Sequence, residues 1–89
     1  MSILNYVKTT IDKYESEMRR IYSIKATRET LQDLFKEANG SDDHYVADKF
    51  DMFGITTYVD DGLEYGEFVF KVEPRVNFVE EVSTFERNG

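Results

Sequence analysis

The only histidine of the chain, His44, lies among acidic residues, and this is the one segment where metal binding or acid–base chemistry could be considered. Its acidic neighbours are Asp42, Asp43, Asp48 and Asp51. A calcium-binding loop places acids at alternate positions around a central glycine and ends on a glutamate, and this spacing is missing here. Other metal sites need at least two strong ligands that face one point. The segment is better explained as the solvated acidic start of a helix, and we expect neither a metal nor a cofactor.

Catalytic groups of other kinds have no support in the sequence. The chain has no cysteine, which excludes disulfides, thiolate metal sites and a cysteine nucleophile. Its five glycines are scattered and none begins a phosphate-binding pattern, and no serine lies in a nucleophile-elbow pattern. Carboxylate pairs such as Glu80 with Glu81, or Glu64 with Glu67, do not identify a general acid and base without a pocket. We therefore expect that the chain is not an enzyme.

Charge is divided unevenly along the chain, whose net charge is −7. Residues 1–40 carry seven basic and six acidic side chains, whereas residues 41–89 carry four basic and twelve acidic ones. A negative field repels nucleic acid and attracts basic protein surfaces. The C-terminal half is thus expected to bind a basic protein surface rather than DNA or RNA.

Length and composition favour one domain that spans residues 1–89. A chain of 89 residues with 40% hydrophobic residues can close one core. No apolar run approaches the roughly 18 residues that a membrane span needs, and no secretory signal is recognisable at the N-terminus. A cytoplasmic location without membrane contact is therefore expected.

An amphipathic helix is predicted for the N-terminal segment, where apolar residues recur at alternating spacings of three and four. These residues are Leu4, Val7, Ile11, Tyr14, Met18 and Ile21. Such a stripe usually packs on a core, but its near-heptad spacing also permits two copies of the chain to pair across a two-fold axis. A homodimer would then form through Leu4, Val7, Ile11, Tyr14 and Met18.

Two further helices are predicted before residue 55. The apolar period slips around residues 23–27, so a break is expected there, and Thr27 can cap a second helix that ends at Asn39-Gly40. The first two helices would form a helical hairpin or a kinked pair. Ser41 resembles a third N-cap, and apolar and aromatic residues follow it at helical spacing. A short third helix closed by Gly54 is therefore predicted.

The remainder of the chain has the period of two that is typical of strands. Residues 55–59 and 68–72 alternate in this way and Asp60-Asp61-Gly62 marks a turn between them, which predicts a β-hairpin. Turn chemistry explains this tripeptide better than a cation-binding loop does. After Pro74 both a strand and a helix fit, and the β-branched content favours a third strand. The predicted fold is α+β, with the N-terminal helices packed on a small antiparallel sheet formed by the C-terminal half.

Aromatic residues are concentrated in the acidic half. Nine of the thirteen aromatic residues lie after residue 40, more than one strand face can bury, so some rings are expected at the surface. Tyr65 is the strongest candidate, because it lies in the loop between the two predicted strands and is flanked by acids. The predicted partner-binding residues are Asp60, Asp61, Glu64, Tyr65, Glu67, Glu80 and Glu81.

In its short length, its acidity and its lack of cysteine or a catalytic motif, the chain resembles small phage-encoded inhibitors, among them anti-CRISPR and DNA-mimic proteins. The resemblance implies an inhibitor or regulator that occupies a basic, nucleic-acid-binding surface of another protein in the host cytoplasm. The alternative is a structural or assembly subunit that oligomerises through the N-terminal amphipathic helix.

Overall fold

The computed structural model describes residues 2–40, 45–73 and 79–85, and within them it has two helices and five strands. In chain order they are α1 (Ile3–Ser16), β1 (Ile21–Ala26), α2 (Arg28–Asn39), β2 (Lys49–Met52), β3 (Ile55–Val59), β4 (Glu67–Val72) and β5 (Val79–Thr84). The α+β class is confirmed. Within the described residues, no helix combines the length and the apolar character that crossing a bilayer requires.

Helix α1 begins where the sequence predicts and ends one turn earlier. The Ser2 side chain accepts a hydrogen bond from the Asn5 N–H, which caps the first turn. At the other end, the Met18 N–H donates to the Glu15 carbonyl and the Arg19 N–H to the Tyr14 carbonyl. This pair of bonds is the Schellman motif, and it places Met18 in the left-handed region with a φ of 58°. The apolar period therefore stops inside the domain before Ile21, which belongs to β1.

Helix α2 has the predicted bounds. The Thr27 hydroxyl accepts a hydrogen bond from the Thr30 N–H, and Gly40 closes the helix in the left-handed conformation. The two helices do not form a hairpin or a kinked pair, because the strand β1 separates them. In that strand Ser23, Ile24 and Ala26 are buried. The broken period around residues 23–27 marks a strand and not merely a bend.

The strands form one mixed sheet in the order β2-β3-β1-β4-β5. Strand β1 lies at its centre, parallel to β3 and antiparallel to β4. The pairs β2 with β3 and β4 with β5 are antiparallel. The prediction of an antiparallel sheet built from the C-terminal half is therefore wrong, since its central strand comes from the N-terminal half and one of its pairings is parallel.

One face of the sheet carries the core and both helices. Its largest fully buried side chains are those of Val7, Ile24, Leu31, Leu34, Val46, Phe68, Phe70 and Val72, together with the polar residues Thr30 and Thr57. The ring centroids of Tyr14 and Phe70 are 5.6 Å apart, and those of Phe35 and Phe50 are 5.3 Å apart. Helix α1 thus lies over β4, and α2 lies towards β2.

Three sequence predictions for residues 41–85 have different outcomes. The prediction of a third helix is wrong over the described residues, because Lys49–Met52 is a strand. Phe53 and Gly54, both at positive φ, form the turn that connects it to β3. The two predicted strands exist as β3 and β4, but they do not pair, because β1 lies between them. The strand predicted after Pro74 is confirmed over Val79–Thr84, where it pairs with β4. The proposed cap at Ser41 lies outside the described residues.

Candidate protein-binding surface

The loop between β3 and β4, residues 60–66, is fixed against the first two turns of α2. The Asp61 carboxylate accepts a hydrogen bond of 3.0 Å from the Arg28 N–H, at the N-terminus of the helix. The Gly66 N–H donates to the buried Thr30 hydroxyl at 2.9 Å. A carboxylate at a helix N-terminus is also favoured by the helix dipole. Two hydrogen bonds therefore anchor the loop to α2.

Tyr65 has a different environment from the one that the sequence suggests. It is half-buried rather than exposed, and its hydroxyl donates a hydrogen bond to the Asp33 carboxylate of α2. Gly66 beside it has a φ of 85°, and this turn brings the loop back towards the helix. The ring is thus part of the contact between loop and helix, and only its remaining exposed part can meet a partner.

The other carboxylates of the loop have distinct local roles. The Asp60 side chain accepts from the Gly62 N–H at 3.0 Å, and the Glu67 side chain accepts from the Glu64 N–H at 2.7 Å. The Glu64 side chain is exposed, and so is that of Asp61. We call Asp33, Asp60, Asp61, Glu64 and Glu67 the acidic surface. Hydrogen bonds between loop and helix hold Asp61 and Asp33, and hydrogen bonds within the loop and its flank hold Asp60 and Glu67.

Helix α2 adds acids that the sequence analysis did not assign to the surface. Asp33 belongs to the acidic surface because it accepts the hydrogen bond from Tyr65. Glu29 is exposed and directly follows Arg28, whose N–H donates to Asp61. A groove of about 620 Å³ continues from there, and its lining includes Asp33, Glu37 and Tyr65. The helical spacing of positions 29, 33 and 37 could have suggested one acidic face, but the packing of the loop beside it has no signal in the sequence.

Glu80 and Glu81 do not pair with the end of β4 that adjoins this loop. They are in the edge strand β5, where they pair with Lys71 and Phe70. The acidic surface instead adjoins the start of β4, at Glu67. Of the seven predicted partner-binding residues, the loop and its flank therefore bring five together, whereas Glu80 and Glu81 lie in β5 beside the C-terminal half of β4.

The stripe proposed for oligomerisation is used by the domain itself. Val7, Ile11 and Tyr14 are buried in the core, and Leu4 is partly buried against it. Met18 is 93% exposed, but it lies beyond the helix in the turn that follows. Pairing two chains through this stripe would require α1 to leave the sheet.

Groups that could support catalysis are sparse in the described part of the chain. No cluster of three or more metal-ligating side chains occurs among the residues described, and His44 lies outside them. Asp48 forms an ion pair with Arg28, which also donates to the Val46 carbonyl. Burial raises the pKa of the Tyr6 hydroxyl, against the opposing effect of its hydrogen bond with Thr10, so Tyr6 stays neutral at physiological pH.

Comparisons with protein-family models, with curated proteins and with solved structures gave no match for this chain. The acidic surface and the fold therefore carry the functional argument.

Proposed function

We propose that the chain is a non-catalytic protein-binding module that engages a basic surface of a partner protein through the acidic surface. The observation that carries the proposal is the fixation of the β3–β4 loop on α2, which places three loop carboxylates beside those of Asp33 in α2 and Glu67 at the start of β4. Preorganised loops lose less conformational entropy on binding than free ones. A concentrated negative field also accelerates encounter with a basic partner.

The partner class follows from charge. The net charge of −7 disfavours a phosphate backbone and favours lysine- and arginine-rich protein surfaces. Many such surfaces bind nucleic acid, so a module that covers one acts as an inhibitor or regulator of the partner. The compositional resemblance to anti-CRISPR and DNA-mimic proteins supports the same role, in the cytoplasm of a host cell if the chain is phage-encoded.

A matched pair of charge reversals tests the proposal. Glu64→Lys changes an exposed acid of the acidic surface, and Glu15→Lys makes the same change on α1. Neither side chain accepts a described hydrogen bond, so both variants are expected to keep the wild-type melting temperature. Each immobilised protein is exposed at low salt to a lysate of the source cell, and bound proteins are identified by mass spectrometry.

We expect wild type and Glu15→Lys to capture the same basic proteins, and Glu64→Lys not to capture them. These proteins should elute from wild type as rising salt screens the charges. Retention of the same set by all three proteins, or a set without basic members, would contradict the proposal.

A further inference from the structure

Strand β5 is the last strand of the sheet, so one of its two edges has no neighbouring strand in the described part of the chain. The other edge pairs with β4 at six successive positions, from Val79 opposite Val72 to Thr84 opposite Glu67. A regular edge of this kind presents a row of backbone N–H and C=O groups to which another extended chain can add.

The end of β5 fixes which of its backbone groups face outward. The Phe85 N–H donates to the Gly66 carbonyl at 2.7 Å, so the backbone groups of Phe85 point towards the β4 side. Backbone groups alternate between the two edges along an antiparallel strand, and those of the odd-numbered residues of β5 therefore point the same way. The N–H and C=O groups of Glu80, Val82 and Thr84 point to the edge that β4 does not cover.

The opposite edge of the sheet is less suited to the addition of a strand. Strand β2 there has only four residues, of which Lys49 and Asp51 are exposed. Short length and charged side chains both keep an edge from pairing, and lysine does so most strongly. Strand β5 has six residues and no proline, glycine or lysine, and its Val82 is 61% exposed. The β5 edge is therefore the better template, and an added strand would cover Val82.

Charge decides which extended chain fits this edge. The sequence of β5 includes Glu80 and Glu81 and no basic residue. Thr84 at its end pairs with Glu67 of the acidic surface, so the edge adjoins that surface. A second copy of the chain would bring a further net charge of −7 to this place, whereas a segment with lysine or arginine is attracted to it.

We propose that an extended, basic segment of the partner protein adds to β5 as a sixth strand. The inference rests on the proposed function, because it names the part of the basic partner that this domain recognises. Backbone hydrogen bonds with Glu80, Val82 and Thr84 hold the segment, and one of its apolar side chains covers Val82. Its basic side chains are attracted by the negative charge of β5 and of the acidic surface.

The test uses a peptide of about ten alternating lysine and valine residues, and a control peptide of the same sequence in which every backbone nitrogen is methylated. The control keeps the charge but cannot donate backbone hydrogen bonds. Amide hydrogen exchange of the full chain is followed by NMR at low salt. We expect the unmodified peptide to slow exchange at residues 80, 82 and 84 by at least about tenfold, with smaller effects at residues 81 and 83. The methylated peptide should leave all five unchanged.

Two substitutions of Val82 provide the matched comparison. Val82→Pro removes the outward N–H and is compatible with an edge strand, whereas Val82→Thr keeps the N–H and the β-branched shape. Val82→Pro should weaken binding of the peptide by at least about tenfold, and Val82→Thr should bind within about threefold of wild type. Thermal melts show whether each variant is folded. If Val82→Pro does not fold, the exchange pattern and the methylated peptide decide the question.

Three results would overturn the proposal. They are equal affinities of the two peptides for wild type, slowed exchange confined to residues 60–67, and equal affinities of folded Val82→Pro and Val82→Thr for the unmodified peptide. Self-association of the chain that Val82→Pro abolishes would also contradict it, because the occupant would then be a second copy.

The variant Glu64→Lys distinguishes the added strand from the proposed function. In this variant the peptide should still slow exchange at residues 80, 82 and 84, although capture of the basic partner is lost. If the captured partner bound Val82→Pro as tightly as wild type but did not bind Glu64→Lys, the proposed function would stand and the added strand would be wrong. The reverse pattern would support the added strand and contradict binding through the acidic surface.

Discussion

Met18 occupies the position after the C-cap of α1, where glycine is the usual residue because the backbone is left-handed. A side chain with a Cβ atom is disfavoured in this conformation by about 1–2 kcal/mol. The Met18 side chain is 93% exposed and thus recovers little of this cost by packing. Packing of the Met18 side chain therefore does not offset the cost of its left-handed backbone.

Replacing Met18 by glycine should stabilise the domain. We expect Met18→Gly to raise the free energy of unfolding by about 1 kcal/mol, because the left-handed strain is removed, although the unfolded chain gains some entropy. For a domain of this size that corresponds to a rise of about 4–8 °C in melting temperature.

Glu17→Gly is the control for that substitution, since Glu17 has a φ of −85° and needs no glycine. It should lower the melting temperature. A lower melting temperature for Met18→Gly as well would show that the left-handed turn is not strained.

The hydrogen bond from Tyr65 to Asp33 joins the loop to α2, and a double-mutant cycle can measure it. Tyr65→Phe keeps the ring and Asp33→Asn keeps the shape of the acceptor. Hydrogen bonds to charged groups contribute about 1.5–3 kcal/mol, so Tyr65→Phe should lose about that much stability in urea denaturation, and Asp33→Asn, whose amide oxygen can still accept, should lose less.

Because Tyr65→Phe removes the bond and Asp33→Asn removes the charge that strengthens it, the double variant should lose less than their sum, with a coupling of about 1 kcal/mol. Additive losses would mean that Tyr65 and Asp33 act independently in solution.

At the scale of elements, the sequence predicts correctly the features that depend on residues close together in the chain, such as helix caps. Thr27 and Gly40 define α2 correctly because capping is local. The central strand β1 is missed because the six residues Ile21–Ala26 have a bulge near Ile21 and partners far away in sequence. Phe50 fits a helical period as well as a strand, and only the pairing of β2 with β3 decides between them.

Gly66 connects three elements and should not tolerate a side chain. Its N–H donates to Thr30, its carbonyl accepts from the Phe85 N–H at 2.7 Å, and a Cβ atom built on it would lie 2.3 Å from the Phe85 carbonyl oxygen. Gly66→Ala should therefore cost about 2–4 kcal/mol, from left-handed strain and a backbone clash together.

Gly54→Ala separates the two contributions. Gly54 has a φ of 76° with nothing within 4 Å of a Cβ atom, so only the conformational cost of about 1–2 kcal/mol is expected there. Chemical denaturation of both variants gives the difference. Equal losses would show that the Phe85 carbonyl, directly after β5, does not lie against Gly66 as described.

At the scale of the whole molecule, the surface on which a charged residue lies does not follow from the half of the sequence to which it belongs. The acids of residues 60–67 join Asp33 of α2, from the half of the chain whose charges nearly cancel. Lys25 of that half and Lys49 of the acidic half both pair with Tyr58 of β3 in the sheet register. The composition predicted a negative surface, but it could not assign α2 to that surface, because the contact depends on the tertiary packing of the loop.

The deciding measurement is a calorimetric titration of the captured basic partner with wild type, Glu64→Lys and Glu15→Lys, each at two salt concentrations. The affinity of wild type and Glu15→Lys should fall together as salt rises, and Glu64→Lys should bind at least about tenfold more weakly at low salt with a smaller salt dependence. Equal affinities of the three proteins, unchanged by salt, would contradict binding through the acidic surface.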